Sequence, residues 1–178
     1  MSKTEEILLF ILDRAHKAGI KDLSKFQLFK ISYLLQVLSL KFAGTFLIPN
    51  ITFVRDKNGP ISVEIYSATE KLVKQGYIKR ETKENKEYGF SRDAHSLVKK
   101  LPKLSLSTGQ MIFLDNFLSK LLPLTQKKLK ELAYKTEPMQ EIIKEEKGSV
   151  IKKGSVIDFN SVIVDSDVVE GYSDTNTP

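Results

Sequence analysis

The chain has 178 residues, 41% of them hydrophobic, which is sufficient for one compact domain with a real core and excludes wholesale disorder. It contains no cysteine, so disulfides and thiolate metal sites are excluded too, in keeping with a reducing compartment. Its net charge of +6 is unevenly spread: residues 1–147 carry 26 basic and 17 acidic side chains, residues 148–178 two and five. The body is therefore basic (+9) and the end acidic (−3), and a basic body draws polyanions or acidic protein surfaces by long-range attraction.

The first residues, Met1 to Glu6, are polar and include two carboxylates, unlike the basic start of a signal peptide. The apolar run Ile7–Leu12 that follows is far shorter than the roughly 20 residues needed to span a bilayer. These features predict a cytoplasmic protein with no membrane partner.

The first helix is predicted over residues 5–18, with Ser2 and Glu5 at capping-box spacing and Gly19 as the stop. A second capping box, Ser24 with Gln27, opens a helix in which Leu28, Ile31, Leu35, Leu38 and Phe42 recur at three- and four-residue steps until Gly44. This stripe is wide enough to form the centre of the core. Pro49-Asn50 and Asn58-Gly59-Pro60 are turn signals around the β-rich piece Ile51–Val54. Ser62 caps a third predicted helix lined by Ile61, Ile65, Ala68 and Leu72, and Gly76 stands at its C-terminal cap.

Two β-leaning stretches follow, Tyr77–Lys83 and Lys86–Phe90, hinged at Glu84-Asn85. Ser91 is then predicted to cap a short helix containing Ala94, Leu97, Val98 and Leu101, stopped by Pro102. Further helices are predicted at about 109–121, at 126–136 and from Pro138 to Gly148. Beyond them Lys147-Gly-Ser-Val-Ile151 is repeated as Lys153-Gly-Ser-Val-Ile157, a spacing that suits a small hairpin. Val162–Val164 is read as a further strand and Gly171 to Pro178 as a disordered acidic tail. The fold class predicted is mainly α: a compact helical domain over 1–147 with a winged-helix-like β-hairpin at about 77–90, and a short β-rich extension with the acidic tail over 148–178.

Residues for catalysis or for a cofactor are not apparent. His16 and His95 fall on different predicted helices without acidic or histidine partners at ligand spacing, so no metal is expected. Serines lack a strand–elbow–helix context, and the glycines lie singly at helix ends and turns, so no phosphate-cradling loop exists. The pairs Glu5/Glu6 and Glu145/Glu146 sit among lysines near helix ends, as solvated helix charges do. The expectation is a protein that binds a macromolecule, with no catalytic residue, no cofactor and no small-molecule substrate.

Between Lys71 and Lys103 lie ten basic side chains and four carboxylates. Helix, tight glycine stop, two strands and helix is also the order of a recognition helix and wing, which places Lys71, Lys74, Lys79, Arg80, Lys83, Lys86 and Arg92 as nucleic-acid-binding candidates. Glutamates interleaved along the hairpin, and Glu64 and Glu70 on the helix, weigh against phosphate contact and towards a winged-helix shape used for protein contact.

Phe26-Gln27-Leu28-Phe29-Lys30-Ile31-Ser32-Tyr33-Leu34-Leu35-Gln36 resembles the opening helix of the Panacea-domain (SocA-like) antitoxins. Asn58-Gly59-Pro60-Ile61-Ser62 is similar to that family's Gly-Pro turn, and Leu129–Pro138 to its closing helix. The chain departs from the family where a His and a Pro-Trp pair are usual, having Tyr134 or Thr136 near the first and Met139 after Pro138. The resemblance spans about residues 7–146 and implies an antitoxin that neutralises a toxin by direct binding, without catalysis. The residues expected to contact such a partner are Gly59, Pro60, Tyr66, Tyr77, Arg80 and Tyr88. A DNA-binding regulator is the alternative, and a third reading pairs the hairpin or the C-terminal strands with another copy as a homodimer.

Overall fold

A computed structural model of the chain describes residues 1–85, 90–146 and 150–165. Among the described residues it is an α-rich fold of six α-helices with two small antiparallel sheets. None of these helices is long and apolar enough to cross a membrane.

Helix α1 (Lys3–Lys17) starts from the Ser2–Glu5 capping box, and its residues Glu5 to Asp13 are all buried. The short strand β1 (Leu23–Ser24) leads into α2 (Lys25–Ala43), whose Ser24–Gln27 capping box and left-handed Gly44 stand where the sequence predicts them. Helix α2 is buried on every side from Leu28 to Val37, so the predicted stripe is one face of a central helix. Strands β2 (Val54–Asp56) and β3 (Gly59–Ile61) form a hairpin around Lys57-Asn58. Helix α3 (Val63–Lys74) follows from the Ser62 cap and packs on α1.

Strands β4 (Ile78–Asn85) and β5 (Phe90–Leu97) pair antiparallel in an unbroken register from Ile78–Leu97 to Asn85–Phe90. Leu23 and Ser24 pair with His95 and Ala94 on the other side of β5, giving the order β1-β5-β4. The helix predicted after Ser91 is therefore a strand. The three-residue step from Ala94 to Leu97 imitates a helical period, but β5 is the middle strand, bonded on both edges, and those long-range ladders override a weak local preference. His95 accordingly lies on a strand and is buried, whereas His16 is exposed on α1.

Helices α4 (Thr108–Leu121), α5 (Gln126–Tyr134) and α6 (Glu137–Glu145) close the core around α1 and α2. The repeated Lys-Gly-Ser-Val-Ile segment does not pair with itself among the described residues; part of its first copy, 147–149, and the predicted acidic tail lie outside them. The second copy instead runs along β2: Arg55 N–H donates to Ser155 O (2.8 Å), Gly154 N–H to Arg55 O (2.7 Å) and Ile157 N–H to Phe53 O (2.8 Å). Ile157 and Val162 are buried in the main core, and Phe159 stacks edge-on to Phe53 at 6.0 Å. Val162–Val164 forms no strand; a 3-10 turn over Phe159–Ser161 precedes it, and Ile163 and Val164 are exposed.

Candidate functional site

The Gly-Pro turn sits between α2 and α5. Gly59 has φ +99°, and a Cβ there would meet the Tyr134 ring at 3.1 Å and Lys30 Cε at 3.2 Å, so both the conformation and the space demand glycine. Gly59 and Pro60 are buried, so they shape the turn from beneath and offer little surface to a partner. The Pro60 carbonyl accepts from Lys30 Nζ at 3.1 Å.

Lys30 is 2% exposed. Burial first, then the nearby Lys130 ammonium and Arg55, push its amine down to about 8, with Asp56 opposing them. Arg55, also buried, grips Glu146 with two hydrogen bonds of 2.8 and 3.2 Å and donates to the Tyr134 hydroxyl at 2.7 Å. Tyr33 on α2 shares a hydrogen bond of 2.7 Å with Thr136. Desolvation raises the Tyr33 phenol, above all other influences on it. Beside this network a groove of about 500 Å³ is lined by Lys127, Lys130, Glu131, Tyr134, Lys135 and Gln140. Sequence reasoning misses Lys30, Arg55 and this groove. A visible signal is the set of polar residues Lys30, Ser32 and Gln36 within a helical stretch otherwise apolar all round.

Along α3 and the start of β4 lie three of the six predicted contact residues, Tyr66, Tyr77 and Arg80. Tyr66 is 44% exposed, with Lys25 Nζ 5.1 Å above its ring. One turn further Glu70 pairs with Arg80 of β4, so Tyr66, Glu70 and Arg80 form one continuous stripe. Tyr77, half-buried where α3 meets β4, carries Lys99 Nζ at 5.2 Å from its ring. Exposed Val63 begins the same helix. Tyr88 and Lys86 lie outside the described residues.

The basic candidates are nearly all engaged within the chain. Lys71 bonds Glu5 of α1 at 2.8 Å, and Lys79 bonds Glu81 at 2.9 Å. Lys83 and Arg92 stand directly opposite one another across the sheet and share Asp22, at 2.5 and 3.5 Å. Lys74 is exposed, with no ion pair among the described residues. The same Lys71 contact, with the Ser2 cap, outweighs burial and holds the Glu5 carboxyl below its ordinary value. Burial likewise opposes, and the Ser105 N–H and hydroxyl outweigh it, at Glu6, which also stays below the ordinary carboxylate range. Both acidic residues thus tie α1 to its neighbours.

Among the described residues no three His, Asp or Glu side chains gather closely enough to hold a metal ion. No protein-family model matches the chain, and no curated protein or solved structure matches it significantly.

Proposed function

We propose that the protein is an antitoxin-like binding module that neutralises a partner toxin by direct contact, with no catalytic step of its own. The observation that carries a protein partner over a nucleic acid is the pairing of Lys71, Lys79, Arg80, Lys83 and Arg92 with carboxylates of the same chain. Phosphate contact would require those pairs to be broken, and their carboxylates would repel the duplex. What remains is a mosaic of both charge signs around exposed Tyr66 and Val63, the composition of a protein-binding patch. Tyr66, Tyr77 and Arg80 act as the anchors, and the buried Gly59-Pro60 turn sets the position at which α3 begins. That the partner is a toxin follows from the resemblance to the Panacea-domain antitoxins.

The DNA-binding reading has one observation in its favour. The order α1-β1-α2-α3-β4-β5, with sheet order β1-β5-β4, would suit a winged-helix reading with the β2–β3 hairpin inserted before the third helix.

Two titrations separate the readings. With the partner, Tyr66→Ala and Tyr77→Ala are each expected to weaken binding by about 1–3 kcal/mol, while Lys79→Gln and Lys83→Gln change it little. With duplex DNA, only weak, salt-sensitive binding is expected. Tight duplex binding whose salt slope falls when Lys79, Arg80 or Lys83 is neutralised would overturn the proposal.

A further inference from the structure

Among the described residues strand β4 is the open edge of its sheet, eight residues long, and its residues Lys79 to Glu84 are exposed or half-exposed. The opposite edge, β1, has only two residues. A strand edge of this length is a template for a further strand unless something blocks it.

The direction of its backbone groups follows from one hydrogen bond. Val98 N–H donates to the Tyr77 carbonyl at 2.9 Å, and the ladder beyond runs without a bulge to Asn85–Phe90. Bonded and non-bonded pairs alternate along an antiparallel ladder. The odd residues of β4 therefore turn their N–H and C=O groups to β5, and the even ones, Arg80, Thr82 and Glu84, turn theirs outward.

From this edge we infer that β4 joins β4 of a second copy of the chain, antiparallel about a two-fold axis at Thr82, to make a continuous six-stranded sheet. The occupant is chosen by charge. Outward-facing residues must oppose outward-facing residues, so only every second register is possible. A shift of one such step one way sets Glu81 against Glu81 and Lys79 against Lys83; a step the other way sets Lys83 against Lys83. Two steps either way put Arg80 against Arg80 or Glu84 against Glu84. The register centred on Thr82 alone sets Arg80 against Glu84 and Glu81 against Lys83, each twice by symmetry, with Thr82 against Thr82, so that Arg80, Glu81 and Lys83 share or exchange their own-chain partners Glu70, Lys79 and Asp22 for an opposite charge of the second copy. Opposite charges directly across a sheet stabilise it and like charges destabilise it. Edges that merely repel strangers carry charges too, but those do not need to complement themselves in one register. Such an edge buries less than the roughly 1,000 Å² of a permanent interface, so association in the range of roughly 10–1,000 µM is expected. This inference does not rest on the toxin-binding reading.

Sedimentation equilibrium of the full chain, from about 10 µM to 1 mM, tests it. Wild type is expected to show a monomer–dimer equilibrium. Thr82→Pro removes one outward N–H and no backbone β4–β5 bond, giving up only the exposed Thr82 Oγ1–H to Asp93 Oδ1 contact of 3.2 Å, so it should leave the circular dichroism unchanged and abolish the dimer. Glu84→Arg and Arg80→Glu should each weaken association at least roughly tenfold alone, because each creates two like-charge pairs. Mixed in equal amounts, those two variants should form heterodimers, since every crossing is then complementary. A wild-type chain that stays monomeric, a folded Thr82→Pro that still dimerises, or charge variants that fail to rescue one another would overturn the inference.

Discussion

Lys30 places an amine inside the protein beside two further cations, and its proton is correspondingly loose. The unfolded chain holds that proton up to the ordinary value of 10.5, whereas the native state releases it near 8. Between those values the unfolded state binds more protons, so the contribution of Lys30 to stability rises with pH; below about 8 the buried charge costs on the order of 3 kcal/mol. Urea unfolding of wild type and Lys30→Met at pH 7 and pH 10 measures this directly. The stability of wild type relative to the variant should improve by about 2–3 kcal/mol at the higher pH. Parallel pH dependences for the two proteins would show that Lys30 keeps an ordinary amine. Arg55 has the opposite solution to the same problem: its charge is matched at once by Glu146, and its backbone also holds the C-terminal segment against β2.

At the scale of elements, the sequence is most legible where local chemistry decides. The capping boxes at Ser2 and Ser24, the Gly44 stop and the Ser62 cap all mark helix ends from a few neighbouring residues. It is least legible where a distant partner decides. Residues 91–97 become a strand because Leu23-Ser24 and β4 flank them, and Lys153–Ile157 becomes an edge of β2 because Phe53–Arg55 is there to receive it. The candidate site divides in the same way. Tyr66 and Arg80 can be read as surface residues from helix and strand periods. The pairing of Arg55 with Glu146, across 91 positions, or of Lys83 with Asp22 across 61, has no local trace.

The β2–β3 hairpin makes its own prediction. Gly59→Ala adds a methyl group to a left-handed residue, 3.1 Å from the Tyr134 ring and 3.2 Å from the buried Lys30 Cε, and should cost about 2–3 kcal/mol. Gly19→Ala carries a similar backbone strain at φ +80°, but with nothing within 4 Å of the added Cβ. Thermal unfolding of the two variants should therefore give a clearly larger loss at Gly59. Equal losses would mean that strain alone, and not the close approach of α2 and α5, makes Gly59 necessary.

At the scale of the molecule, the basic side chains of α3 and the hairpin seldom stand alone among the described residues. Cations of α3 and the hairpin are matched by carboxylates from α1, the β1 approach and α3 itself, which ties these elements together as well as neutralising the surface. The lysines around α5, with Lys130 hydrogen-bonded only to Asn58 among the described residues and the groove beside Tyr134, keep a local positive field there. On the proposed reading a protein partner would meet the tyrosines and Arg80, with the basic excess of the body helping to attract its acidic surface. Affinity capture of the tagged protein from its native host, with and without nuclease, followed by mass spectrometry, addresses this most directly. One stoichiometric protein should survive nuclease, prove toxic when produced alone, and be lost on Tyr66→Ala/Tyr77→Ala. Recovery of DNA, or only of proteins released by nuclease, would contradict the proposed reading.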